Sequence, residues 1–455
     1  MRPNPGKRQY PDSARAAAWG ILNDWDAGRG ALEALREEYL SGSSMDGRDR
    51  ALVTELTQGV MRYRLMLDYR IDSLLDKPGS SLPVPIYNIL RLGIYQILHL
   101  TKIPIRAAVN ESVELVKSSR FKGLAPLVNA VMRKAAKAPP PELPNEEDDP
   151  AGYIALTTSN PRWLVDMLVT QMGRDEARHL LQAMNRPPSL TFRVNTLKVN
   201  RDELLNELAS LGVSARPGSL SSVSIILESG GDPSTLPPFM EGRCTVQDEG
   251  AQLVAPLLMV RKADLVLDAC ASPGGKAGHL AQEMSDKGTI IAIDNSLPRV
   301  RMMKKTLDRL DLRSVKSVVG DVLSVSTLFR APLDKILLDV PCSGTGVLGR
   351  HPEGKWRKDR AGIDVLKAVQ LQMLNSLGTI LQKGGELLYT TCSLLIEENE
   401  NVIDGFIEDS CFSLVDLRSR GNSLPADVFT KRGELKVLPH IHGCDGFYAA
   451  LLEKR

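Results

Sequence analysis

The stretch Ile336-Leu337-Leu338-Asp339-Val340-Pro341-Cys342-Ser343-Gly344-Thr345-Gly346 decides how the chain is read. It opens as a short aliphatic run, the pattern of a strand covered on both faces. It stops at Asp339-Val340-Pro341 because proline has no N–H to give to a sheet ladder. Gly344 and Gly346 keep the next loop open to close approach by a ligand. The strand therefore delivers a carboxylate, Asp339, and a thiol, Cys342, to its carboxyl end, the edge at which open α/β sheets bind ligands. Read alone, the stretch makes Cys342 a nucleophile whose substrate and cofactor must come from elsewhere in the chain.

After residue 263 strand and helix patterns alternate. Strands are expected at 265–269, 289–293, 315–319, 335–339 and 385–391, and helices near 275–285, 297–311, 364–382 and 397–409. Such alternation predicts a parallel sheet between helices, an α/β Rossmann-like domain over 241–455. Two later apolar stretches, 435–438 and 446–452, flank the turn-forming Gly443-Cys444-Asp445 and predict an antiparallel pair at the sheet edge. Residues 151–240 read as a helical piece entered at Pro161 and then a small α+β subdomain, with strands at 189–195 and 223–227 and a helix at 202–211. Residues 1–138 carry apolar side chains at three- and four-residue steps (Ile86, Ile89, Leu90, Ile94, Ile97) and no strand signal, which predicts an all-α domain. Its expected helices include one from Ala14 with Ser13 as N-cap, one over 49–67, one over 107–117 and one from Gly123. Residues 139–150 hold Pro139, Pro140, Pro141 and Pro144 among five acids; they read as a linker too acidic and apolar-poor to pack.

At 455 residues the chain is too long for one ordinary domain, and its 43% hydrophobic and 25% charged residues are those of a soluble globular protein. No apolar run reaches membrane-spanning length; the best, 86–100, is interrupted by Arg91 and His99. The opening residues Met1 to Arg8 lack the apolar core of a signal peptide. The cysteines (Cys244, Cys270, Cys342, Cys392, Cys411, Cys444) show no C-x-x-C spacing and read as reduced thiols, and the scattered histidines offer no metal site. A cytoplasmic monomer with no membrane partner is expected. The net charge of +2 hides an asymmetry, because residues 1–137 carry 21 Lys and Arg against 14 Asp and Glu. That excess points to a polyanion, although an ordinary basic surface would have the same composition.

Asp268-Ala269-Cys270-Ala271-Ser272-Pro273-Gly274-Gly275-Lys276 follows the first expected strand and opens a helix, whose first N–H groups are free for a ligand. It is not a Walker loop, since Ala277 stands where Ser or Thr is required, and G-x-G-x-x-G is absent. Asp294 ends the next strand, placed to accept from both hydroxyls of a ribose. Asp321 ends the third, where an adenine edge would lie, and Asp339 ends the fourth. Any one of these aspartates could be a simple loop cap. Together they favour an adenosine cofactor without a polyphosphate, and S-adenosyl-L-methionine fits better than NAD.

A second thiol, Cys392 in Thr390-Thr391-Cys392-Ser393, ends the strand expected to start at Gly385. A buried cysteine is more often a small core residue than a nucleophile. Two, each followed by serine, at strand ends beside a cofactor crevice reverse that balance. Here the chain resembles the Nop/Sun family of RNA cytosine-5 methyltransferases. The resemblance rests on Asp268 to Lys276, Asp339 to Gly346, His351-Pro352, Lys355-Trp356, Gln370-Leu371, Thr391-Cys392-Ser393, Glu397-Glu398-Asn399 and Asp445-Gly446-Phe447. Residues 1–138 look like a NusB-type helical RNA-binding domain, a combination that resembles the family's bacterial Sun branch, which acts on small-subunit (16S) ribosomal RNA. Val340 and Ala277 depart from the usual alanine and from a common threonine or serine, and neither removes a reacting group.

The resemblance implies that Cys392 attacks carbon 6 of cytosine, that Cys342 assists product release and that Asp339 positions the base. It implies that Cys270, Ala271, Ser272, Pro273, Gly274, Gly275, Lys276, Asp294, Asp321 and Asp339 surround S-adenosylmethionine. The target cytosine would have to be flipped or single-stranded. Arg350, His351, Lys355, Arg357 and Lys358, just after the first thiol, would contact phosphate or form a solvated basic loop. A transfer RNA methyltransferase of the same family, a non-catalytic RNA-binding assembly factor and a DNA cytosine-5 methyltransferase are the competing expectations. The second thiol and the NusB-like domain favour RNA over DNA.

Overall fold

The computed structural model of the chain describes residues 13–76, 82–228, 232–327, 329, 332–420 and 424–455; the reading of Met1 to Arg8 lies outside them. The chain divides into two units, one of residues up to Leu181 together with His351–Arg357, the other of Gln182–Arg350 and Lys358–Arg455.

Among the described residues the first unit has helices and no strand, from Ala14–Asp26 to Arg162–Met172. Its centre is Val84–His99, whose aliphatic stripe makes Ile86, Ile89, Leu90 and Ile94 wholly buried among the surrounding helices. The single helix expected over 49–67 is two, Gly47–Arg62 and Arg64–Leu74. Tyr63 leaves helical geometry between them (φ −108°, ψ 18°), and its ring stacks 4.3 Å from His99. Tertiary stacking there outweighs local helix propensity. Ser13 precedes its helix without a capping side-chain bond, whereas Asp46 accepts from the N–H groups of Arg48 and Asp49. Residues 139–149 form no helix, yet they are fastened to this unit. Tyr69 donates to the Glu142 carbonyl at 2.6 Å, Arg70 to those of Ala138 and Pro139, and Asp149 caps Pro150–Thr157. A segment poor in apolar side chains can still be held through its carbonyls.

The second unit has two sheets. The smaller consists of β1 (Leu190–Val194), β2 (Ala215–Pro217), β3 (Ser224–Leu227) and β4 (Cys244–Val246), antiparallel in the order β2-β3-β1-β4. The helix Arg201–Ser210 belongs to the same subdomain, and its inner face shares a core with the sheet through Phe192, Val194, Leu204 and Leu208. The larger sheet contains β5 (Leu265–Ala269), β6 (Thr289–Asp294), β7 (Val315–Val319), β8 (Leu333–Asp339), β9 (Leu381–Thr391), β10 (Phe412–Val415), β11 (Leu435–Val437) and β12 (Phe447–Lys454). Its order is β10-β12-β9-β8-β5-β6-β7, with β11 also on β12. The strands β5 to β9 run parallel, as their aliphatic runs predict, and the last three are antiparallel. The antiparallel pair expected at the edge is found, but β12 is interior. Its residues Phe447 to Leu452 are buried, and the short strands β10 and β11, the first of them not anticipated, cover its outer side. An aliphatic strand needs a partner on each side to satisfy its backbone groups.

Candidate active site

The sheet order reverses at β5, which lies between β6 and β8, so a crevice opens beyond the carboxyl ends of these strands. The loop after β5 fills one wall of it. Cys270 has φ +62° and Gly274 has φ +95°; a Cβ on Gly274 would sit 2.9 Å from Met303 Cγ. Gly274 N-caps the helix Gly275–Glu283. Ala271 and Ser272 are buried, Pro273 is exposed, and Ser272 Oγ donates to the Arg299 carbonyl at 3.0 Å. Asp268 is fully buried with no hydrogen-bond partner on either oxygen, and burial with the Asp339 charge pushes its carboxyl well above the ordinary range. Asp294 accepts from Ser296 N–H through Oδ1. Its Oδ2 is buried without a hydrogen bond, although the Arg299 guanidinium lies at 3.3 Å. Burial, with Asp339, Asp294 and Asp268, pushes the Cys270 thiol up to about 12. Asp321 is exposed two residues past β7 and accepts from Leu323 N–H at 3.0 Å, a local cap. A crevice with orphaned buried carboxylate oxygens beside a helix N-terminus suits a ligand that carries hydroxyl and ammonium donors, which S-adenosylmethionine does.

Across the crevice the two thiols meet. Cys342 and Cys392, 50 residues apart in sequence, have their sulfurs 3.3 Å apart. Gly346 donates to the Cys392 carbonyl at 2.8 Å and accepts from Gly446 N–H at 2.9 Å, which zips the loop after β8 to the end of β9. Lys276 Nζ lies 2.7 Å from Asp339 Oδ2 and over the ring of Phe447. Burial works against that ammonium, but the Asp339 carboxylate outweighs it, so the Lys276 pKa is raised. Lys358 Nζ donates to the Ser343 carbonyl. The sulfurs are thereby made unlike. The hydrogen bond from Cys342 holds the Cys392 thiol below its ordinary value against burial and Asp339, with help from Lys276 and Lys358. The same bond, burial and the nearby charges of Cys392 and Glu398 push Cys342 well up. The surroundings thus favour the proton on Cys342 and ionisation of Cys392 over that of Cys342.

The loop Cys270 to Lys276, Asp294, Asp321, Asp339, Cys342 and Cys392 stand at or just past the carboxyl ends of β5, β6, β7, β8 and β9, but sequence reasoning passed over what supports them. Glu398, Gln370 and Tyr389 form a buried hydrogen-bonded shell behind the thiols, and Arg299 donates to the Ser272 carbonyl in the loop after β5. The signal for the first two was present, since both lie in stretches that carry the family resemblance. The basic run after Cys342 is corrected. Arg350 pairs with Asp248 at 2.6 Å and with Asp445 at 2.5 Å. Lys355 is buried with Nζ on the Arg62 carbonyl, and Arg357 donates to the Trp25 carbonyl. These cations serve internal acceptors, so the run is not a free phosphate-binding loop.

Three family descriptions match the chain. Residues 255–453 match 16S rRNA methyltransferase RsmB/F, residues 12–137 the NusB family, and residues 160–233 the ferredoxin-like domain of RsmF/B-like methyltransferases. The probable ribosomal RNA small subunit methyltransferase B of Bacillus subtilis (strain 168) is 35% identical over 446 residues, 97% of this chain and 99% of its own length. The ribosomal RNA small subunit methyltransferase B of Shewanella oneidensis is 35% identical over 439 residues, 96% of this chain and 98% of its own. Among solved structures, that of PH0851 aligns with a TM-score of 0.82 at 27% identity, covering 99% of this chain and 100% of that one.

Proposed function

The chain belongs to the RsmB/F family of 16S rRNA methyltransferases, and from that premise we propose that it methylates carbon 5 of a cytosine in small-subunit ribosomal RNA through a covalent cysteine adduct. It combines a NusB-like domain, a ferredoxin-like domain and a Rossmann-like methyltransferase domain that uses S-adenosylmethionine. The observation that carries the reading is the pair of unlike thiols at 3.3 Å beside Asp339 and Lys276.

Carbon 5 of cytosine is a weak nucleophile. Addition of the Cys392 sulfur at carbon 6 turns the ring into an enamine that is nucleophilic at carbon 5. A free thiol is only a few per cent ionised near pH 7, so the lowered Cys392 pKa directly enlarges the reactive fraction. Asp339 bonds the base near N3 and orients its face toward the sulfur. S-adenosylmethionine, when bound, supplies the electrophilic methyl group. The loop Cys270 to Lys276 would hold it, with Asp294 toward the ribose, Asp321 toward the adenine edge and Asp339 near the reacting end. After methylation solvent water takes the carbon-5 proton, the C–H electron pair restores the carbon 5–carbon 6 double bond, and the carbon 6–sulfur bond breaks with its electron pair returning to Cys392. Cys342 stabilises that departing thiolate by donating to it, which is its part in product release. The base must be out of its stack for either face to be reached. The NusB-like region, with its excess of Lys and Arg, contributes RNA affinity.

Transfer of labelled methyl to small-subunit RNA, transfer RNA and duplex DNA tests the substrate, and bisulfite mapping of the product tests carbon 5. Transfer to ribosomal RNA alone is expected. Cys392→Ala should abolish it, and Cys342→Ala should trap a protein–RNA adduct seen as a shifted band on a denaturing gel. An active Cys392→Ala protein, or no adduct with Cys342→Ala, would refute the assigned roles.

A further inference from the structure

Behind the two thiol loops stands a carboxylate that the chemistry above does not use. Glu398 is fully buried. Its Oε1 accepts from the Ser343 N–H at 2.7 Å and from Gln370 Nε2 at 3.1 Å. Its Oε2 accepts from Ser393 Oγ at 2.6 Å, and its main-chain carbonyl accepts from the Tyr389 hydroxyl at 2.6 Å. Ser343 follows Cys342 and Ser393 follows Cys392, so one side chain holds the chain beside both sulfurs. The two serine hydroxyls also meet each other at 3.1 Å. We propose that Glu398 is a positioning residue for the methyl transfer, a buried clamp that fixes the Cys342 and Cys392 loops in the register that brings their sulfurs into hydrogen-bond contact.

The proposal rests on the two-thiol reading of the site and deepens it. A carboxylate removed from water is costly unless its oxygens are satisfied. The three side-chain and backbone donors that meet the Glu398 side chain are all neutral. The groups facing the thiols are arranged in one sense. Lys276 and Lys358 act on Cys392, with Asp339 opposing them, while Glu398 acts on Cys342, and the buried Tyr389 hydroxyl feels both Cys342 and Glu398. Cations beside one sulfur and an anion beside the other favour the proton on Cys342 over Cys392. Glu398 therefore does two things: it sets the sulfur–sulfur distance, and it opposes a thiolate at the wrong position.

Thiol alkylation followed by mass spectrometry, run from pH 6 to pH 9 on the full chain without RNA, separates the two effects. Glu398→Gln keeps the shape and the acceptor for Ser343 but removes the charge. It should speed alkylation of Cys342 at neutral pH by about tenfold, the equivalent of one pKa unit, while methyl transfer slows and adduct accumulates. Ser393→Ala removes one arm and keeps the carboxylate. It should slow alkylation of Cys392 relative to Cys342, and it serves as the test should the glutamine variant melt early. Wild-type labelling ratios in both variants would overturn the proposal. Shifted ratios in the variants, together with a wild-type protein that transfers no methyl group, would uphold the clamp and refute the assigned activity instead.

Discussion

A thiol as enclosed as Cys392 would ordinarily be held protonated, since burial disfavours the thiolate. Here the hydrogen bond from Cys342 and the cations of Lys276 and Lys358 more than offset that cost. The proposed attack requires the thiolate, so the rate should rise with pH through the Cys392 pKa and level off above it. Lys276→Met removes a cation and leaves Asp339 unpaired. Both changes raise the Cys392 pKa, so the acid limb of the pH–rate profile moves to higher pH. At a fixed pH below that limb, the single-turnover rate falls about tenfold for every pH unit the limb moves. A limb that stays in place would show that Lys276 does not act on the sulfur. Residue types at this scale were legible: Asp339, Cys342 and Cys392 stand where strands end. Their unlike surroundings were not, because the acidity of each sulfur depends on charges contributed by Lys276, Lys358 and Glu398, from three separate segments.

The loop after β8 works only because it has no side chain at one point. A Cβ on Gly346 would lie 2.3 Å from the Gly446 carbonyl oxygen and 2.9 Å from that of Cys392. Both obstacles are backbone and cannot rotate away. Gly346→Ala should cost about 2–3 kcal/mol of stability in urea unfolding of the full chain, the range of a tight overpacking, and should reduce transfer by separating the sulfurs. Unchanged stability and activity would mean that the loop has slack. Elements with a strong period were read well, and β5 and β7 have the bounds that their aliphatic runs predict. The break at Tyr63 and the short strand β10 were missed. The first is made by ring stacking against His99, and the second, four residues long, exists through its pairing with β12.

In the whole molecule the segment His351–Arg357 departs from the order of the chain. It lies in sequence between β8 and β9, yet it belongs to the helical unit. Trp356 packs on that unit's core and donates from Nε1 to the Met61 carbonyl at 2.7 Å. Arg357 stacks 4.4 Å over the Trp25 ring. Hydrogen exchange should therefore show residues 352–357 opening together with 47–74, and Trp356→Ala should lower protection in both. Protection that followed β8 and β9 instead would contradict this assignment. A basic, tryptophan-containing run looks like a nucleic-acid contact when read along the chain. Its cations are instead satisfied by carbonyls hundreds of residues away.

The sequence by itself determined the helical beginning, the parallel sheet, the glycine-containing loop after β5 and the two thiols at strand ends. These follow from periodicity, proline and glycine placement and motif spacing, which are local properties of the chain. Only the tertiary structure decided that the sulfurs touch, that unlike charges surround them, that Glu398 stands behind both, and that the basic run turns inward. Each of these depends on distances and charges between segments far apart in sequence, and no local pattern encodes a distance that the packed fold alone sets.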